Sequence, residues 1–107
     1  MTPDRGGEGG GVTDEARALQ LYKSALALIE AKGSFMSVGL IRIKEYRAGS
    51  LILRYQPTPG WLDVWSVRKV LSVKRWNGAL QIFRYVPGPW EQELKKLAEQ
   101  SAVSSMP

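Results

Sequence analysis

The feature that most constrains this chain is a change of period. Up to residue 32 the apolar residues recur every three or four positions. From residue 35 to residue 86 they recur every second position, and four turn signals cut that run. A period of two marks a half-buried strand, so each piece between turns reads as a strand with one oily side. Arg47-Ala48-Gly49 reads as a three-residue hairpin loop with Gly49 left-handed. It sets Tyr46 beside Ser50, Ile43 beside Leu53 and Arg42 beside Arg54. The second turn, in Gln56-Pro57-Thr58-Pro59-Gly60-Trp61, pairs Gln56 near Trp61 and puts Arg54 across from Asp63. A four-residue loop over Ser66-Val67-Arg68-Lys69 sets Trp65 beside Val70 and Trp61 beside Lys74. Asn77-Gly78 is a strong two-residue hairpin signal; it pairs Trp76 with Ala79, Lys74 with Gln81 and Ser72 with Phe83.

These four turns agree about faces. One face collects Ile41, Ile43, Leu51, Leu53, Tyr55, Leu62, Val64, Leu71, Val73, Leu80 and Ile82. The other collects Arg42, Lys44, Tyr46, Ile52, Arg54, Gln56, Trp61, Asp63, Trp65, Ser72, Lys74, Trp76, Gln81, Phe83 and Tyr85. A slip of one residue at a turn would mix the two sets, which is the reason to expect a five-stranded antiparallel meander.

Helical patterns flank the strands. Thr13 or Asp14 suits an N-cap, and Leu19, Tyr22, Leu26 and Ile29 follow at helical spacing, widened by Ala18, Leu21, Ala25 and Leu28. Gly33 reads as a left-handed C-terminal cap. Pro87-Gly88-Pro89 ends the last strand, with Pro89 at a first helical position and Trp90, Leu94 and Leu97 on one stripe. Two helices with one apolar stripe each, and a sheet with one aliphatic face, predict an α+β two-layer sandwich of order α-β-β-β-β-β-α with both helices on that face. Residues 13–100 form the single domain, residues 1–12 a disordered glycine-rich tail and residues 101–107 a flexible tail.

Composition narrows the chemistry. The chain has no cysteine and no histidine, so thiolate chemistry, a Ser-His-Asp site and a standard zinc site cannot be built from it. No enzyme activity, cofactor or metal is expected. No apolar run is long enough for a membrane span and the N-terminus lacks a signal core, so a cytoplasmic protein away from membranes is expected. The net charge is +5, but residues 35–86 hold nine bases against two acids, a block of +7. Such a block points to an anionic or acidic partner, against the plainer reading of a basic soluble surface.

The uncovered face gathers cations and rings: Arg42, Lys44, Arg54, Trp61, Trp65, Lys74, Trp76, Phe83 and Tyr85 are the candidate binding residues. A cluster of exposed aromatics asks for a reason that a single one does not. Tryptophan, tyrosine and arginine are enriched at protein hot spots, so the leading expectation is a small interaction module for a protein partner or a second copy of the chain. The alternative is single-stranded nucleic acid, with bases stacked on rings and phosphates on Arg and Lys. A third reading is structural, with the rings packing on each other and on lysine stems.

The order of elements, and the run Gln56-Pro57-Thr58-Pro59-Gly60-Trp61-Leu62-Asp63-Val64-Trp65, resemble the frataxin family. That resemblance implies two terminal helices flanking one face of an antiparallel sheet. The family's iron surface is an acidic first helix and strand. This first helix carries only Asp14, Glu15 and Glu30 and the strand is basic, so the resemblance extends to architecture and not to iron.

Overall fold

A computed structural model describes residues 13–104. The order is α1 (Asp14–Lys32), β1 (Ser34–Val38), β2 (Ile41–Ala48), β3 (Leu51–Gln56), β4 (Trp61–Ser66), β5 (Arg68–Trp76), β6 (Ala79–Tyr85) and α2 (Trp90–Ser104). The sheet is an antiparallel meander in chain order, with six strands where five were expected. The extra strand is β1, whose SFMSV pairs with β2 through a tight Gly39-Leu40 turn with Gly39 at φ 63°. α2 extends to Ser104, into the stretch read as a tail. The disorder expected for residues 1–12, and the last part of the tail, lie outside the described residues.

α1 starts where Thr13 caps it: the Thr13 hydroxyl accepts from the Ala16 amide at 3.0 Å, with Asp14 and Glu15 in the positive first turn. Its buried stripe is Ala18, Leu21, Tyr22, Ala25, Leu28 and Ile29, with Leu19 and Leu26 at the margin. Gly33 is not left-handed as expected, since its φ is −74°. Glycine is needed there for space, because a Cβ would meet the Ile29 carbonyl oxygen at 2.6 Å.

The core lies between the helices and one sheet face. Leu51, Leu53, Leu62, Val64, Leu71 and Val73 from β3–β5 meet the α1 stripe and Trp90 and Leu94 of α2. These alternate residues share pleat parity, as the sequence reading required of the middle strands.

Register differs from expectation at three places. β2 meets β3 through a two-residue turn, with Ala48 across from Leu51 and Glu45 across from Arg54. Gly49 has φ 59°, and Glu93 of α2 takes the Ser50 amide at 2.8 Å and the Ser50 hydroxyl at 2.6 Å. That tertiary clamp favours the short turn over the three-residue loop. The register moves by an odd number of residues, so β2 is turned over: Arg42, Lys44 and Tyr46 face the helix side, and Ile41, Ile43 and Glu45 the open side. At the third turn Trp65 pairs with Lys69, not Val70, and a bulge between Val64 and Trp65 restores the expected Trp61–Lys74 pair. Val67 carries that turn at φ 62°, fully exposed. In the last hairpin Trp76–Ala79 and Lys74–Gln81 pair as expected, but Ser72 meets Arg84 because a bulge there leaves Phe83 out of the ladder. Tyr85 thereby turns to the helix side.

Glu91 ties this end together. It is 5% exposed and accepts from Arg17 at 2.9 Å, from the Tyr85 hydroxyl at 3.0 Å and from the Gly88 amide at 3.1 Å. Burial, and then the bond to Glu91, push the Tyr85 hydroxyl up to about 12. A raised tyrosine value favours the neutral form in the fold. Its contribution is complete below pH 10 and is lost as the pH rises from about 10 to about 12. Over that window the protein should lose up to about 2–3 kcal/mol relative to Tyr85→Phe, read by denaturant titration at each pH. Parallel curves for the two proteins would contradict the Tyr85–Glu91 bond.

Candidate partner-binding face

Among the described residues, no helix covers the second face of the sheet. Of the nine residues expected there, six share it: Arg54, Trp61, Trp65, Lys74, Trp76 and Phe83. Arg42, Lys44 and Tyr85 do not. The Arg42 guanidinium lies 4.1 Å from the Phe35 ring centre, and Lys44 donates to the Glu30 carbonyl at 3.2 Å, near the negative end of α1. Tyr85 packs edge-on to Trp90, their centroids 6.4 Å apart.

The true register removes the expected Arg42–Arg54 repulsion. The row across the sheet is Glu45–Arg54–Asp63–Ser72. Glu45 accepts from Arg54 at 2.7 Å and from Arg47 at 3.0 Å. Burial works against its charge, but the bonds from Arg47 and Arg54 outweigh it and hold the carboxyl below its ordinary value. Glu93 is also held low, by the Ser50 hydroxyl and then the Ser50 amide. Both stabilise the fold above the ordinary value of 4.5, and this is lost as the pH falls through their lowered values.

The rings form a platform built by three neighbouring strands. Trp61 of β4 stacks on Phe83 of β6, with centroids 5.2 Å apart and planes 22° from parallel. The bulge makes this contact, because it lets Phe83 leave the ladder and lean over β5. Lys74 of β5 places its ammonium 5.5 Å from the Trp61 ring centre and 4.7 Å from that of Trp76. The Trp61 indole N–H donates to Asp63 at 2.7 Å, which fixes the ring, and Asp63 lies 3.7 Å from Lys69. Lys69 in turn lies over Trp65 at 5.2 Å. Trp65 is half-buried, and its indole N–H has no hydrogen-bond partner.

Part of this face is therefore self-covered, as the structural reading expected of rings on lysine stems. Ser72 is only 2% exposed although no helix of the described residues lies above it. The ring platform itself is left to solvent at its Trp76 and Phe83 end, where the two are 53% and 57% exposed. Sequence reasoning missed Glu45 as the Arg54 partner and missed the apolar surface of β1 and its turn. The first omission follows from the β2 register and the second from the unread Gly39-Leu40 turn.

Among the described residues no group of three His, Cys, Asp or Glu side chains is placed to hold a metal ion, and no helix is long and apolar enough to cross a membrane. Comparisons with protein-family models, curated proteins and solved structures give no match.

Proposed function

We propose that this protein is a non-enzymatic interaction module that binds a protein partner on the platform of Trp61, Trp76 and Phe83 with Lys74 at its centre. The observation that carries the reading is the half exposure of Trp76 and Phe83 beside a Trp61 whose orientation is already fixed. A pre-positioned aromatic cluster loses little freedom on binding, and large aromatics are the side chains on which interface energy concentrates. Self-packing alone would cover both rings, and it leaves them wet.

Charge argues against single-stranded nucleic acid on this face. Arg42 and Lys44 lie on the other side, Glu45 is matched to Arg54 and Arg47, and Asp63 is matched to Lys69. Lys74 is engaged with two rings. That leaves Arg84, across from Ser72, as the cation of this face bound to neither an acid nor a ring among the described residues, which is few for following a phosphate backbone.

The test uses tagged full-length chain as bait in its own cell extract, with Trp76→Glu, Phe83→Glu and the remote control Lys96→Glu. The expected result is one protein whose recovery falls at least about tenfold in the first two baits and is unchanged in the control, a loss of one hot-spot residue. The purified partner should then blue-shift the tryptophan emission of the wild type. Equal recovery by all baits would overturn the reading. So would salt-sensitive quenching by an unstructured oligonucleotide with no protein partner.

A further inference from the structure

The free edge of β1 is a second surface, separate from the aromatic platform. Among the described residues, nothing pairs with its outer side. Natural sheets guard such an edge with charge, proline or a bulge. The opposite edge, β6, has a bulge at Phe83 and a charge at Arg84. β1 has none of these: its sequence is SFMSV and its register with β2 is regular. Phe35, Met36, Val38, Leu40 and Ile41 are 50%, 41%, 54%, 105% and 46% exposed.

We propose that β1 is the self-association edge of this protein, pairing antiparallel with β1 of a second copy about a twofold axis at Met36. Backbone geometry selects that register. The two-residue turn makes Val38–Ile41 a hydrogen-bonded pair, so by alternation Met36–Ile43 is another. The N–H and C=O groups of Phe35 and Ser37 then face outward. Opposing Phe35 to Ser37 of the second copy, twice over, satisfies all of them. Met36 meets its own counterpart on the axis, and no residue of β1 carries a charge to oppose the pairing.

The area fits a weak, concentration-dependent dimer. The five apolar side chains together expose the equivalent of about three whole large residues, on the order of 600 Å². Complete cover of all five in two copies would remove at most about 1,200 Å², and because Leu40 lies on the turn and Ile41 on β2, beside the seam, the interface falls in the small class of weak, transient contacts. The product is one continuous sheet with an aromatic platform on each half, so the dimer would present its partner site twice. Each chain carries +5, so self-association should tighten with salt, opposite to the capture of an acidic peptide.

Sedimentation equilibrium of the full chain, at low and high salt and up to millimolar concentration, tests this. The wild type should approach twice 11.9 kDa, the more so at high salt. Ser37→Pro removes an outward N–H that β2 does not use, and Met36→Lys sets two ammonium groups against each other on the axis. Both should remain monomeric with unchanged circular dichroism, and if the proline variant fails to fold the lysine variant still decides. Trp76→Glu should still dimerise, which separates this inference from the partner reading. A monomer at all concentrations would overturn it, including one whose Phe35 and Ser37 amides exchange slowly because another part of the chain covers them. A dimer surviving both edge substitutions would overturn it equally.

Discussion

Replacing Trp90 with alanine should cost about 3–5 kcal/mol, the usual range for deleting a buried tryptophan. Trp90 is 4% exposed, its indole N–H donates to the Val86 carbonyl at 2.6 Å, and its ring meets Tyr85 edge-on. It is thus both the apolar anchor of α2 and the hydrogen bond that fixes where the helix starts. The truncation leaves a cavity under α2 and a carbonyl without its donor. A domain of this size is stable by roughly 5–14 kcal/mol, so the variant should sit near the edge of folding. Chemical denaturation monitored by circular dichroism measures the loss. A cost below about 1 kcal/mol, the scale of a surface substitution, would mean that α2 is not docked as described.

Glu91→Ala should cost about 3 kcal/mol. Its carboxylate is the shared acceptor for α1 through Arg17, for β6 through Tyr85 and for the loop before α2 through Gly88. Removing it leaves the Tyr85 hydroxyl and the Gly88 amide without their partner, at about 1–3 kcal/mol for each one that stays buried. Arg17 is half-exposed and can turn to water, so its share is small. Glu91→Gln keeps one acceptor, for Tyr85, but sets its NH2 against the Gly88 amide, so it should lose about 1–2 kcal/mol, less than Glu91→Ala. The same denaturation experiment ranks the two variants, and equal small losses would show that the three contacts are not cooperative.

The two stripes, the middle strands and the start of the last hairpin were legible because each rests on local chemistry; the Trp61–Lys74 pair matches only because the bulge at Val64 and Trp65 offsets the misread third turn. Helical spacing, period-two alternation and Asn77-Gly78 need no knowledge of the rest of the molecule. What was illegible depends on contacts far away in the chain. Gly49 announces a turn, but Glu93, 43 residues beyond Ser50, decides that the turn has two residues. Val67 announces nothing, since a β-branched residue is a poor choice for positive φ, yet it makes the third turn. The Phe83 bulge has no signal at all in its strand, and it both builds the stack on Trp61 and turns Tyr85 to the helices.

The short turn also resolves the charge problem posed by the basic block. An arginine facing an arginine would be destabilising, and a slip of odd length exchanges Arg42 for Glu45 opposite Arg54. The same slip takes Arg42 and Lys44 off the open face. It leaves a platform defined by its rings more than by its cations, which is why a protein surface fits it better than a phosphate backbone.

The register of β2 on β3 thus decides the character of the open face, and proton NMR reads it directly. Ala48–Leu51 closes a two-residue turn, so alternation makes Glu45–Arg54 a non-hydrogen-bonded pair, in which the two Hα atoms approach closely. The expected result is a strong Hα–Hα cross-peak between Glu45 and Arg54, with a second between Arg47 and Ile52. A cross-peak joining Arg42 to Arg54, or Ile43 to Leu53, would return the arginine and lysine to the open face and contradict the account.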